Sequence, residues 1–389
     1  MNNLERFKAI VHFQEPDYYP IFGFPGAPGM SRGCQTPAHQ RLVQGGMPAH
    51  IGGEYRADAV WTDPESWCRY WGTTDPVTLD FSLARDVQGF AEKRWTEGEF
   101  EYIESECGAL TRQVIDNEAI YSMPEFITYP VRDRASWEFY RERMTPTAAM
   151  SRDEMEENCR RFDRRERPLM IGAGGTYGLV RGLLGPANVS YALYDDPDLI
   201  QEIIDWQLDK VRTYVFPLIE RLRPEVVCMG EDLCYNHGML LSPRQFDRFC
   251  GAYYREVCSF ARAHGVDLVA VDSDGNIMEY VGLARSYGVN GFFPCEVKAG
   301  NDLFVLRERY PDIILFGWLE KECVNEGNEG MIRSEIMSKV PPLLAKRGYF
   351  PNGDHGIQPL ITFENMCRFM TLLHEVTGNP EGEFPRMVV

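Results

Sequence analysis

The chain has 389 residues, 44% of them hydrophobic and 12% aromatic, so it can bury one large core or two ordinary ones. Lys and Arg number 40 against 58 Asp and Glu, and the formal net charge is −18. This acidic balance argues against nucleic acid and anionic membranes as partners. No apolar run approaches the roughly 20 residues of a membrane span, and the first residues do not resemble a secretory signal. The eleven cysteines are scattered without a Cys-x-x-Cys pair, so a reducing cytoplasm is expected.

The N-terminal third predicts few regular elements. Residues 4–10 predict a short helix, and residues 19–24 predict a first strand that runs into a Pro- and Gly-rich loop at 25–29. Residues 30–125 are less periodic. They are expected to form loop and hairpin excursions near the mouth of the main scaffold, with a hairpin around 92–104.

The rest of the chain alternates strands and helices after a polar, helical run from 130 to about 168. Such alternation implies a parallel sheet with right-handed crossovers. Pitch alone does not separate a barrel from an open sheet, but polar strand ends favour an α/β fold of the (β/α)8 TIM-barrel type with an elaborated N-terminal region, in one domain over 1–389. The predicted strands are 169–172, 225–229, 267–271, 289–293, 313–317 and 347–351; the predicted helices are 188–194, 197–222, 243–264, 276–287, 301–309 and 329–346.

Acids, a histidine or a cysteine follow four of the apolar runs. They are Glu231-Asp232, Asp272-Ser273-Asp274, Cys295-Glu296 and Asp354-His355. Barrel enzymes carry their chemistry on the loops that follow the carboxyl ends of the strands. The pattern therefore predicts an enzyme and indicates where its site lies.

These segments differ in what they indicate. Asp272 and Asp274 stand at alternate positions, which would bring both carboxylates together if the strand continued, yet Asp-Ser-Asp-Gly-Asn is also typical of a turn. Flanking residues leave His355 uncrowded, which favours a ligand-binding role over a structural one. Adjacent acids on a strand point to opposite faces, so one of Glu231 and Asp232 is expected to face the mouth. Cys295 is more typical of buried filler.

A glycine-rich segment, 172–178, does not have the spacing of a dinucleotide-binding loop, because Tyr177 stands where the third glycine is needed. We interpret it as a loop whose backbone approaches a neighbouring strand or a ligand.

Taken together, the segments resemble the uroporphyrinogen decarboxylase superfamily, and more narrowly its corrinoid-dependent methyltransferase branch. The resemblance implies a single (β/α)8 barrel, a separate corrinoid protein as partner, a small-molecule methyl donor or acceptor, and a homodimer. It runs from about residue 4 to 375 and is carried by Glu5-Arg6-Phe7, Pro16-Asp17-Tyr18-Tyr19-Pro20, Tyr129-Pro130-Val131-Arg132-Asp133, Gly230-Glu231-Asp232, Asp272-Ser273-Asp274-Gly275-Asn276, Pro294-Cys295-Glu296-Val297 and Gly353-Asp354-His355-Gly356-Ile357-Gln358-Pro359.

The resemblance also implies a zinc site. Thiol-methylating members hold Zn²⁺ with a His-x-Cys-Gly segment and a later Cys; here Asp272, Asp274 and His355 stand at those positions, and Glu231 is a fourth candidate ligand. Oxygen and imidazole ligands make a harder site than thiolates do. Replacement of the thiolate ligands by oxygen and imidazole therefore favours a substrate oxygen over a sulfur, and cleavage of a methyl–oxygen bond. The alternative is that this barrel no longer binds a metal.

Further roles follow from this hypothesis. Glu231, Asp232 and Asp354 are candidate catalytic acids, and Asp232 or Asp354 would give a proton to the departing oxygen. Phe22, Phe24 and Trp318 are candidates to wall an aromatic, methoxylated substrate, with ordinary core packing as the alternative.

Three other functions stay open. One is decarboxylation, although a porphyrinogen has many carboxylates and residues 23–30 contain no Lys or Arg. Another is methylation of a thiol from methylcobamide. A third is non-enzymatic binding of a small molecule, which the converging acids argue against because buried carboxylates are costly.

Overall fold

A computed structural model of the chain describes residues 1–22, 36–55, 61–74, 77–79, 87–115, 124–325, 328–357 and 360–388. The strands are β1 (Gly52–Tyr55), β2 (Trp61–Asp63), β3 (Val77–Leu79), β4 (Lys93–Glu97), β5 (Phe100–Glu104), β6 (Leu110–Val114), β7 (Glu125–Thr128), β8 (Leu169–Gly172), β9 (Val226–Gly230), β10 (Cys234–Tyr235), β11 (Gly238–Met239), β12 (Leu268–Asp272), β13 (Gly291–Phe293), β14 (Ile314–Leu319) and β15 (Tyr349–Gly353). The α-helices are α1 (Asn3–Val11), α2 (Thr36–Gln44), α3 (Pro64–Trp71), α4 (Arg134–Met144), α5 (Arg152–Phe162), α6 (Tyr177–Leu184), α7 (Pro186–Asp195), α8 (Pro197–Lys210), α9 (Phe216–Leu222), α10 (Pro243–Phe249), α11 (Gly251–Ala263), α12 (Tyr280–Ser286), α13 (Leu303–Arg309), α14 (Glu329–Lys346) and α15 (Phe363–Thr377).

Seven strands form one curled parallel sheet in the order β15-β14-β13-β12-β9-β8-β3. Phe22 joins its two edges: it pairs in parallel with Thr74, just before β3, and its carbonyl accepts a 2.7 Å hydrogen bond from Asn352 of β15. With helices between successive strands, this arrangement confirms the predicted TIM-barrel-like α/β fold.

The inside of the barrel is filled by alternate strand residues, among them Cys228, Ala270 and Phe316. Helix α1 packs Phe7 and Ile10 against this interior cluster. Its surface residues contact acids that precede the strands: Lys8 lies 3.4 Å from Glu225, and His12 lies 3.1 Å from Asp267. Helix α1 therefore covers the amino ends of the strands and leaves the carboxyl ends free for a site.

The predicted elements of the second half agree with the structure to within about two residues for the strands. Two long helices are interrupted. The predicted helix 197–222 contains a π-helical turn at Val211–Val215, just before Pro217, which has no backbone N–H to give. The predicted helix 243–264 divides at Cys250 into α10 and α11. None of the helices in the described ranges is long and apolar enough to cross a membrane.

The hairpin predicted around 92–104 is present as β4 and β5, and it extends through β6 and β7 into a four-stranded antiparallel sheet. Phe90, at its edge, stacks on Tyr140 of α4. Trp67 and Trp71 of α3 are buried in the main core.

The glycine-rich segment after β8 passes directly against the end of β9. A Cβ added at Gly175 would lie 1.9 Å from the carbonyl oxygen of Gly230, and one added at Gly178 would lie 2.3 Å from that of Glu231. The glycines of this loop thus permit its backbone to approach a neighbouring strand, which is one of the two roles expected of the loop.

We expect Gly175→Ala to lower the free energy of unfolding by about 1–3 kcal/mol, because the new methyl group overlaps backbone that cannot move aside cheaply. Gly172→Ala is the matched control, since its added Cβ meets no described atom within 4 Å. Urea unfolding of both variants measures the difference. Equal stabilities would contradict the close approach of the two loops.

Candidate metal centre

Three strand-end loops bring Asp274, Glu296 and His355 together. Asp274 follows β12, Glu296 follows β13 and His355 follows β15. The Nδ1 atom of His355 lies 3.7 Å from Oδ1 of Asp274 and 3.7 Å from Oε1 of Glu296. One ligand atom from each of the three residues lies within 4.8 Å of the other two. The convergence follows from the parallel sheet, whose carboxyl ends share one edge.

This cluster has the donor set and spacing of a cation site. Nδ1 of His355 is buried and has no hydrogen-bond partner among the described residues, and 3.7 Å is too long for a hydrogen bond. A buried polar atom without a partner is costly and calls for an explanation. Ligands that surround Zn²⁺ tetrahedrally at about 2.1 Å lie about 3.4 Å apart, close to the separation seen here. A divalent cation between the three side chains would satisfy Nδ1.

The Glu296 carboxylate is oriented by the neighbouring loop. Its Oε2 atom accepts a 2.7 Å hydrogen bond from the backbone N–H of Gly275, which leaves Oε1 facing His355. Gly275 has φ of +82°, and an added Cβ would lie 2.7 Å from backbone atoms of Cys234 and Tyr235. Only glycine meets both requirements, so the turn after Asp274 is built to hold Glu296.

Asp274 lies in a concentration of negative charge. Desolvation by the surrounding loops, with the nearby charges of Asp232 and Glu296, raises the pKa of Asp274 to about 6, although His355 and Lys321 act in the opposite direction. Carboxylates that repel one another in this way are relieved by a bound cation.

The cluster differs from the predicted ligand set, which named Asp272 and Glu231 beside Asp274 and His355. Asp272 ends β12 and shares a face with Leu268 and Ala270, which line the barrel interior. It lies outside the group formed by Asp274, Glu296 and His355. Because β12 ends at Asp272, the side-chain alternation of a strand does not extend to Asp274 and does not place the two carboxylates on one face.

Glu231 is fully engaged elsewhere. Its buried carboxylate accepts hydrogen bonds from the N–H and Oγ1 of Thr176 at 2.8 and 2.7 Å, from the N–H of Gly178 and from the hydroxyl of Tyr254. Burial raises the pKa of Glu231, and these hydrogen bonds oppose the shift. The carboxylate ties the loop at the start of α6 to the end of β9.

The other two candidate acids have different surroundings. Asp232 has φ of +44° and pairs with Arg181 at 2.5 Å through Oδ2, with its side chain 45% exposed. Asp354 is buried, and its two oxygens accept the backbone N–H groups of Val297 and Lys321 at 3.0 and 3.1 Å. It therefore joins the loops that follow β13 and β14.

The predicted substrate-contacting residues are separated in the fold. Phe22 lies inside the barrel against Phe7 and Phe350, and Phe24 lies outside the described residues. Trp318 is buried in the layer between barrel and helices, where its ring packs on Phe304 of α13. Open space at the mouth lies instead at Gly172 and Gly230, both exposed at strand ends and without a described atom within 4 Å of an added Cβ.

Glu296 is the member of the cluster that the sequence interpretation left out of the ligand set. The sequence does indicate it, since Cys295-Glu296 follows a strand at the same edge, but no local pattern separates this acid from the core cysteine beside it. Cys295 itself is fully buried, as expected of core filler.

The comparisons with known proteins agree with this architecture. Residues 129–376 match the family Uroporphyrinogen decarboxylase (URO-D), and the chain belongs to that family. The fold is similar to that of a methyltransferase from Methanosarcina mazei, with a TM-score of 0.58 at 15% identity, over 96% of this chain and 99% of that one. No curated protein sequence matches the chain.

We expect Glu296→Gln to weaken binding of Co²⁺ or Zn²⁺ by at least about 10-fold, because one anionic oxygen ligand is lost. Titration of the metal-free protein, followed by Co²⁺ absorbance, gives the affinity. Glu166→Gln makes the same chemical change in an exposed loop that precedes β8 and should leave the affinity unchanged. Equal affinities for the two variants would remove Glu296 from the site.

Proposed function

We propose that the chain is an enzyme that transfers a methyl group between a small methoxylated substrate and a corrinoid carried by a partner protein. The observation that carries the proposal is the Asp274–Glu296–His355 cluster at the open end of the barrel, whose Nδ1 atom has no hydrogen-bond partner within the described ranges. Family membership and the likeness to a methyltransferase fold support it.

The ligand chemistry favours an oxygen-directed reaction. The cluster offers two carboxylates and one imidazole and no thiolate, a hard set that suits an ether or alcohol oxygen better than a sulfur. A divalent cation supplies Lewis acidity when it is bound there. Zn²⁺ is the cation that we propose, held by Asp274, Glu296 and His355.

Of the two candidate proton donors, Asp232 suits the role better. Its Oδ2 atom is paired with Arg181, whereas no partner of Oδ1 is seen in the described part of the chain, which leaves Oδ1 to pass a proton from water to the departing oxygen. It lies near enough to Asp274 to raise the pKa of that carboxyl. Asp354 already accepts a backbone N–H at each oxygen, so we assign it, like Glu231, to holding the loops in place.

A decarboxylase function is the second candidate, because the family takes its name from that activity. The net charge of −18 and the lack of Lys or Arg over residues 23–30 count against a substrate with many carboxylates.

The test is methyl transfer by the zinc-loaded protein to chemically reduced free cobalamin. We expect methylcobalamin to form from methoxylated aromatic compounds such as 2-methoxyphenol, as followed by absorbance. His355→Ala should lower the rate by more than about 100-fold, since a direct ligand is lost. His12→Ala, at the closed end of the barrel, should leave the rate unchanged. Circular dichroism checks that both variants are folded.

Three outcomes would contradict the proposal. Release of carbon dioxide from a porphyrinogen, without methylcobalamin formation, would favour the decarboxylase. Transfer from methylcobalamin to a thiol, with no reaction of any methoxylated compound, would favour a thiol methyltransferase. Full activity of His355→Ala would remove the cluster from the reaction.

A further inference from the structure

Asn301 lies in the loop before α13, and its side chain is buried. Its Nδ2 atom donates two hydrogen bonds, to the carbonyl of Gly275 at 2.9 Å and to the carbonyl of Glu296 at 2.8 Å. Its Oδ1 atom accepts the backbone N–H of Ile277 at 2.9 Å. Both amide hydrogens and the amide oxygen are thus used.

These bonds join the two loops that carry the carboxylates. Gly275 follows Asp274 directly, and its N–H donates to Glu296 while its carbonyl accepts from Asn301. The carbonyl of Glu296 accepts from the same amide group. One side chain therefore sets the backbone separation of both acidic ligands.

Asn301 is itself held from the other side. The indole Nε1 of Trp318 donates a 2.7 Å hydrogen bond to its backbone carbonyl. Trp318 has φ of +67°, which is rare for a bulky residue and costly unless the surroundings enforce it. The strained strand end at β14 thus supports the amide from outside the barrel.

We propose that Asn301 is a positioning residue of the metal centre: it fixes the distance between Asp274 and Glu296 and so sets the affinity and geometry of cation binding. The inference rests on the cluster assigned under the proposed function. It adds a residue that does not touch the cation and acts through two that do.

The chain contains a matched control. Asn290 directly precedes β13 and bonds to the start of β12, at the opposite end of the same two strands. Its Oδ1 atom accepts from Val269 N–H at 2.8 Å, and its Nδ2 atom donates to the carbonyl of Asp267 at 3.2 Å. Loss of this amide should cost stability in a similar way without any effect on the metal centre.

The experiment compares Asn301→Leu and Asn301→Ser with Asn290→Leu and Asn290→Ser in the full-length protein. Co²⁺ affinity and the ligand-field absorption spectrum are measured, together with the unfolding temperature of the metal-free form. We expect both Asn301 variants to bind Co²⁺ at least about 10-fold more weakly with an altered spectrum. Both Asn290 variants should keep the wild-type affinity and spectrum, despite a comparable loss of stability. The serine variants carry the comparison if the leucine variants do not fold.

Different results would contradict the positioning role of Asn301 and the metal centre itself. Wild-type affinity and spectrum in the Asn301 variants would overturn the positioning role and leave the metal centre standing. Equal weakening in the Asn290 variants would show a general loss of stability and would also overturn it. A wild-type protein that binds no Co²⁺ would overturn the metal centre and this inference together.

Discussion

The parallel hydrogen bonding of β9, β12 and β13 determines where most of the candidate acids lie. Asp272 is in register with Gly230 on one side and with Phe293 on the other, so the three strands end at the same level. The residues that follow must leave the sheet together at one rim. Helix α1 fills the opposite end of the barrel with Phe7 and Ile10. Chemistry is thereby confined to a single face.

The carboxylates above that rim form two groups, which differ in the hydrogen bonds that their oxygens accept. Glu231 and Asp354 are buried and hold backbone N–H groups of neighbouring loops. Glu296 accepts one backbone N–H through Oε2, while its Oε1 atom and the carboxylate of Asp274 lie beside the imidazole nitrogen of His355. Buried acids whose oxygens are all bonded stabilise the loops. Acids that face another negative charge repel it, and a bound cation relieves that repulsion.

The strands and the acidic rim could be predicted from the sequence, because buried parallel strands are short apolar runs and polar residues directly follow them. The exact set of metal ligands could not be predicted from the sequence. Placing Asp272 beside Asp274 assumed that the strand continued, whereas β12 ends at Asp272. Glu231 is engaged by Thr176 and Tyr254, and only the folded chain shows these distant partners. Likewise, no local pattern distinguishes an aromatic residue of the barrel interior, such as Phe22, from one that contacts a substrate.

The contact between Phe22 and Asn352 joins the edges of the sheet across 330 residues of chain. Contacts of such high sequence separation form slowly, because the loop-closure entropy must be overcome before they contribute stability. Until they form, β3 and β15 present unpaired backbone groups that can add a strand from another molecule. The seam at Phe22 is therefore where slow folding and aggregation of this protein are expected to begin.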